Sequence, residues 1–208
     1  MKTVIFATSN KDKMKEIREI LSGLDVEVKT MREAGFSEEI EENGITFEEN
    51  AGIKASAVAS YLEQTSYAGD YIVLADDSGL EIDAMDKMPG VQSHRWLGER
   101  TYTQAMLDII EELKDVPEEK RTARFVCAIA AYIPGQGLKT VQRACEGVVA
   151  HELAGEEGFG YDPFFYMPEY GCTTAQMTRA QKNSVSHRGK ALTAMKEMLL
   201  ENGILTSV

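Results

Sequence analysis

Four stretches of this chain combine residue types that chemistry uses. Thr8-Ser9-Asn10-Lys11-Asp12-Lys13 stands where an apolar run gives way to a helical pattern, with Lys15 close behind. The start of a helix disfavours cations by about 0.3–1 kcal/mol each, so three lysines there point to a bound anion that offsets them. Lysines that simply face solvent remain the alternative. Asp76-Asp77-Ser78-Gly79 follows the hydrophobic run Tyr71 to Ala75, and ligands bind at strand ends in α/β sheets. Adjacent carboxylates there suit Mg²⁺, which takes carboxylates together with substrate phosphates and water. Successive strand side chains face opposite sides, so Asp77 is expected to bind metal and Asp76 to assist; a plain polar strand end is the alternative. Ser186-His187-Arg188-Gly189-Lys190, preceded by Lys182, again gathers cations at the start of a helix. Phe159-Gly160-Tyr161-Asp162-Pro163-Phe164-Phe165 could stack a base and bond its edge, or could anchor a loop to the core.

Other motifs fail on spacing. Gly135-Gln136-Gly137-Leu138-Lys139-Thr140 lacks the phosphate-loop spacing and lies in a hairpin pattern. No dinucleotide-type glycine motif follows a strand, and His94, His151 and His187 show no zinc spacing.

The elements that must position these residues are readable in outline. Thr3 to Thr8 reads as a strand, followed by a helix with Met14, Ile17, Leu21 and Leu24 on one stripe. Val26 to Met31 alternates like a strand. Thr46 with Glu49 has the form of a capping box, opening a helix through Phe47, Ala51, Ala55, Val58 and Leu62. Tyr71 to Ala75 and Leu80 to Ala84 read as two strands separated by Asp76 to Gly79, with a loop at Met88-Pro89-Gly90. Tyr102 to Val116 reads as a helix. Arg124 to Ile133 and Leu138 to His151 flank the turn Pro134 to Gly137 as a hairpin. A last helix runs through Leu192, Met195 and Leu199 to Gly203. The class expected is α/β with a mixed sheet.

Bulk composition narrows the partners. The 208 residues, 43% hydrophobic and 27% charged, suit one large soluble domain or one domain with two lobes. No apolar stretch has the length of a membrane span, and Met1 to Lys13 lacks the apolar core of a signal peptide. Three widely spaced cysteines fit thiols in a reducing compartment, so a cytoplasmic location is expected. The 34 acidic and 22 basic residues give a formal charge of −12. That balance repels nucleic-acid polymers and leaves a small anion held in a locally basic pocket.

In order, ATSNKDKMKEI, ENGITFEENAGIKA, ADDSGLEIDAM, PGVQSHRW, GFGYDPFF and SHRGKAL resemble the inosine triphosphate pyrophosphatase family, the non-canonical purine nucleoside triphosphate pyrophosphatases. The matching stretches run from residue 7 to 192. Ser9 replaces the glycine common in the first motif, and Gln92 and His94 stand where other residues are frequent. The resemblance implies an elongated α/β fold, a mixed sheet flanked by helices, with a nucleotide cleft between two lobes of a single domain. It also implies a homodimer, Mg²⁺, and cleavage between the α- and β-phosphates of ITP, dITP or XTP. Carried over, Thr8, Ser9, Asn10, Lys11, Asp12 and Lys13 are the phosphate loop, and Glu42 and Asp77 the metal acids. Asp77 is also the proton acceptor, with Asp76 and Lys54 in the same catalytic cluster. Phe159, Gly160, Tyr161, Asp162, Lys182, His187 and Arg188 resemble the base-recognition set, and Ser78 touches substrate. A pyrophosphatase for modified pyrimidine or deoxynucleotides, and a nucleotide sensor without turnover, are the competing readings.

Overall fold

The computed structural model describes residues 1–208, the side chain of Asp12 excepted. In chain order the elements are β1 (Lys2–Phe6), α1 (Lys11–Ile20), β2 (Val26–Thr30), α2 (Phe47–Gln64), β3 (Tyr71–Ile82), β4 (Pro89–Gly90) and α3 (Tyr102–Glu112). They continue with β5 (Thr122–Ile133), β6 (Gly137–Val149), β7 (Phe165–Met167), β8 (Cys172–Thr173), α4 (Arg179–Val185) and α5 (His187–Glu201). The strands form one open mixed sheet in the order β2-β1-β3-β5-β6-β7-β8, with β4 on β3. β1 runs parallel to β2 and β3, whereas β4, β7 and β8 pair antiparallel. The expected α/β class and mixed sheet are what the chain forms.

Two compact units divide the chain. The first takes Met1–Asp77, Cys127–Arg143 and Arg188–Val208; the second takes Ser78–Val126 and Ala144–His187. In the first, Val4 and Phe6 of β1 and Ile72 and Leu74 of β3 meet Met14 and Ile17 of α1 and Leu192, Met195 and Leu199 of α5. The +3/+4 spacing seen in the sequence is thus a core-facing stripe. Leu21 and Leu24, just past α1, are buried with it. Thr46 and Glu49 close the capping box that starts α2, through Glu49 N to Thr46 Oγ1 at 3.1 Å and Thr46 N to Glu49 Oε2 at 3.2 Å. Gly203, at φ 65°, takes the left-handed turn just beyond α5.

In the second unit, Leu80 and Ile82 pack with Met106, Ile109 and Leu113 and with Phe164 and Phe165. The strand reading needs correction in two places. Asp76 to Gly79 does not end a strand: β3 continues for 12 residues through it. Backbone pairing does not depend on side-chain polarity, and both aspartates have bonded partners, so nothing interrupts the ladder. Met88-Pro89-Gly90 is not wholly loop, because Leu80 and Glu81 pair with Gly90 and Pro89. Among the described residues no helix is long and apolar enough to cross a membrane.

The expected helix over 102–116 stops at Glu112. Arg121, with 0% exposure, explains where the chain turns. Its guanidinium donates from Nη1 to the Leu113 carbonyl, from Nε to Val149 O at 3.0 Å and from Nη2 to Ala150 O at 3.0 Å. A cation at a helix C-terminus is favourable, and a planar fork reaches three acceptors that one ammonium cannot. Arg121→Lys should therefore lower stability by roughly 3 kcal/mol, read as an earlier urea midpoint at unchanged slope. An unchanged midpoint would show that the fork carries no stability.

Candidate active site

The first unit holds a cavity of about 460 Å³ whose wall takes some of the residues singled out above, Asp77 and Arg188 not among them. Thr8, Ser9, Lys13, Glu42, Lys54 and Asp76 are among those that line it. The volume lies in the range of small-molecule sites. A larger hollow of about 640 Å³, lined by Glu48, Glu49, Gly52, Ile53 and Leu138 among others, has no lysine or arginine in its wall and does not suit a polyanion.

The Thr8–Lys13 turn is closed by its own side chains. Asn10 N donates to Thr8 Oγ1 at 3.2 Å, and Lys13 N donates to Asn10 Oδ1 at 3.1 Å, capping α1. Ser9, Asn10, Lys11 and Lys15 are exposed; Asp12 falls outside the described side chains. Lys13 turns inward and meets Asp76 Oδ2 at 2.8 Å. Part of the lysine excess at this helix start is therefore offset by a carboxylate of the chain itself.

Asp76 and Asp77 are adjacent on β3 yet live in different surroundings. Asp76 is 2% exposed, and Arg188 Nε lies 3.5 Å from its Oδ2. Burial pushes its carboxyl up, but Lys13, Arg188 and Lys54 outweigh burial and hold it well below the usual carboxylate range. Asp77 accepts from Asn50 Nδ2 at 3.1 Å and stands 3.8 Å from Lys54 Nζ. Burial raises its carboxyl to about 6, helped by Glu42 and Asp76 and opposed by Lys54 and Asn50. Lys54 also meets Glu42 Oε2 at 2.8 Å. Its own burial disfavours the charge, but Asp76, Asp77 and Glu42 prevail and keep it protonated. Arg188 also reaches Glu16 Oε2 at 3.4 Å.

The second unit carries the remaining residues. Asp162, 4% exposed, accepts at Oδ2 from Phe159 N at 2.8 Å and from Lys182 Nζ at 2.5 Å. Its Oδ1 accepts from Thr174 Oγ1 at 2.8 Å. Lys182 Nζ stands 5.2 Å from the centroid of the Phe159 ring, whose side chain is exposed and suited to stacking. A Cβ at Gly158 would meet Asp162 Oδ2 at 2.3 Å, so the loop can close only with glycine there. Gly160 takes φ 65°. The side chain of Tyr161 is in the core, its hydroxyl donating to Ser93 O at 2.8 Å. That ring anchors the loop to the core, whereas the Phe159 ring is exposed. His187 stacks on Phe125 with centroids 5.2 Å apart, and Phe125 on Phe165 at 4.2 Å. Ser78, next after Asp77 on β3, is half-buried.

Three partners were not singled out from the sequence: Asn50, Glu16 and Thr174. Two carried a signal. Asn50 precedes Lys54 by four residues and Glu16 follows Lys13 by three, so each shares a helix face with a lysine. Thr174 carried none, being distant in sequence from Asp162.

Asp77 also sets a pH dependence. Its folded carboxyl binds a proton more tightly than an unfolded one, so the folded state is favoured at low pH and penalised as pH rises through about 6. In metal-free protein Asp77→Asn should leave the melting temperature nearly unchanged below pH 4. Above pH 7 it should raise stability by on the order of 2 kcal/mol, a shift of a few degrees. A uniform shift at every pH would remove the titration of Asp77 as its cause.

Residues 4–198 match the Ham1 family. A dITP/XTP pyrophosphatase of Bacillus subtilis is 47% identical, over 96% of this chain and 98% of its own length. One from Clostridium perfringens is 43% identical, over 99% of this chain and 100% of its own. The solved Ham1 protein of Staphylococcus aureus superposes with a TM-score of 0.86 at 33% identity, covering 96% of this chain and 99% of that one. A match that extends through the phosphate-type turn, both aspartates and the Asp162 loop leaves no segment of the candidate site outside it, and the chain belongs to the Ham1 family.

Proposed function

We propose that this chain hydrolyses ITP, dITP and XTP to the nucleoside monophosphate and pyrophosphate, removing non-canonical purines from the nucleotide pool. The observation that carries this reading is the cluster of Lys13, Lys54, Asp77 and Glu42 around the buried Asp76, in a chain whose near full-length relatives are named dITP/XTP pyrophosphatases. The same reading takes residues 1–208 as one pyrophosphatase domain with two lobes, working in the cytoplasm as a homodimer on a small nucleotide. The charge of −12 argues against a nucleic-acid polymer as partner.

Glu42 and Asp77 fit Mg²⁺. Both offer hard oxygen ligands, both share Lys54, and burial of Asp77, with Glu42 and Asp76 nearby, disfavours its bare charge, which a cation would relieve. When bound there, Mg²⁺ would neutralise phosphate oxygens and polarise them. The residues of the chain do the rest. Thr8 to Lys13 bind and orient the triphosphate, with Lys13 and Lys54 balancing its charge. Water adds to the α-phosphorus and the bond to the α,β-bridging oxygen breaks, pyrophosphate leaving with that electron pair. The proton of the water passes to the coupled carboxylates of Asp77 and its neighbour Glu42, since Asp76 is too firmly ionised to take it. Ser78 touches the substrate beside it.

Base choice follows from donor and acceptor matching. Inosine and xanthosine present a 6-oxo acceptor and adenine a 6-amino donor. A guanidinium has five N–H donors and no acceptor. Two of them, at Nη1 and Nε, face Glu16 and Asp76, which leaves Arg188 donors for the 6-oxo group. Phe159 stacks the base, Lys182, His187 and Asp162 complete the set, and the backbone near Phe159 to Asp162 bars the 2-amino group of guanine.

Pyrophosphate release from ITP, dITP, XTP, GTP, ATP and dTTP, with and without Mg²⁺, tests the proposal. Mg²⁺-dependent turnover of ITP, dITP and XTP, with ATP and GTP slow, is expected; preference for dTTP would favour a pyrimidine enzyme. Tight ITP binding without release would leave a sensor. Lys54→Ala and Asp77→Asn should each lower kcat by about 10²–10⁴-fold. Arg188→Ala should shrink the ITP:ATP rate ratio by roughly 5- to 150-fold, the worth of one unsatisfied buried donor.

A further inference from the structure

We propose that Asn50 is a positioning residue that fixes the separation and orientation of the Glu42 and Asp77 carboxylates. The inference rests on the Mg²⁺-dependent reading above. Asn50 is 1% exposed, and its amide is bonded at both ends. Oδ1 accepts from Gly44 N at 2.8 Å, and Nδ2 donates to Asp77 Oδ2 at 3.1 Å. The amide can face only one way, since an N–H requires the oxygen and a carboxylate requires the nitrogen.

These two bonds complete a ring. Gly44 stands two residues after Glu42, Glu42 meets Lys54 Nζ at 2.8 Å, and Lys54 stands 3.8 Å from Asp77 Oδ1. Asn50 closes the circuit from Asp77 back to the segment that carries Glu42. It shares one face of α2 with Lys54, four residues on, so a single rigid helix holds both links. Glu49 secures the same segment, its Oε2 accepting from Ile45 N at 2.7 Å and Thr46 N at 3.2 Å. The fit leaves no slack, because a Cβ at Gly44 would lie 2.7 Å from Asn50 Oδ1 and 2.7 Å from Glu49 Cβ. Without the amide, Asp77 loses a donor that holds its Oδ2, and the Glu42 segment loses its anchor. Asn50 itself need touch neither metal nor nucleotide.

The test uses full-length wild type, Asn50→Ala, Gly44→Ala and the double variant. Three quantities are read: Mn²⁺ affinity of nucleotide-free protein by electron paramagnetic resonance, the Mg²⁺ concentration for half-maximal pyrophosphate release from ITP, and melting of metal-free protein. Asn50→Ala should weaken Mn²⁺ and raise the Mg²⁺ requirement by about 10–100-fold, the usual effect of losing a group that orients a metal ligand. The KM for ITP should change little. Gly44→Ala reaches the amide from its other end and should repeat the defect, and the double variant should be no worse than Asn50→Ala. Folded Asn50→Ala or Gly44→Ala with wild-type Mn²⁺ affinity and Mg²⁺ requirement would overturn the assignment, as would losses that multiply in the double variant. If Asn50→Ala does not fold, Gly44→Ala decides alone. Absence of pyrophosphate release from wild type would instead remove the underlying reading.

Discussion

A carboxylate taken out of water must be matched by cations or hydrogen bonds, because an unpaired buried charge is penalised by several kcal/mol. Asp76 lies in the middle of β3 with 2% exposure, so the surrounding chain has to bring cations to it. It does so from helices far apart in sequence: Lys13 from α1 and Arg188 from α5 contact it, and Lys54 from α2 adds its field. The helices that bring Lys13 and Arg188 also bury Met14, Ile17, Leu192 and Met195 against the strands. The apolar stripes fix where each helix packs, and the charges fix which of its residues can face the carboxylate. Core and candidate site of the first unit are two consequences of the same placement.

The second unit obeys the same rule with other groups. Asp162 is satisfied by an ammonium, a hydroxyl and a backbone N–H, and Arg121 by three carbonyl oxygens. Each closes a segment that has little regular structure: the loop around Phe159 in one case, the end of α3 in the other. Buried charges bonded to several fixed partners give a loop one arrangement instead of many. That property matters most where an exposed ring such as Phe159 is to be held ready for a base.

Legibility in the sequence followed the range of the interaction that sets each feature. The α1 and α5 stripes and the Thr46/Glu49 capping box are local patterns, and each stands where it was expected. The sequence reads as two strands where β3 is one, because Asp76 to Gly79 looks like a strand end. Its continuity depends on neighbouring strands and on Lys13 and Arg188, which lie 63 positions before and 112 after Asp76. The stop of α3 at Glu112 was missed for the same reason, since the group that takes the Leu113 carbonyl is Arg121. Tyr161 looked like Phe159 in the sequence. The Ser93 carbonyl and the packing of Tyr102 and Phe164 make one ring core and leave the other exposed.

Charge balance within the first cluster bears on why a metal belongs in the proposed reaction. Lys13, Lys54 and Arg188 face Asp76, Asp77, Glu42 and Glu16, three cations against four carboxylates. Such a cluster is one charge negative and does not by itself attract a polyanion, least of all in a chain of net charge −12. In the proposed reaction a divalent ion on Glu42 and Asp77 would reverse the local sign and make the same residues a site for a triphosphate. The lysines then need not be displaced from their partners to serve. Held by the carboxylates of Asp76, Asp77 and Glu42, their positive charge would be in place before the phosphates arrive, leaving little reorganisation for the transition state of the proposed reaction.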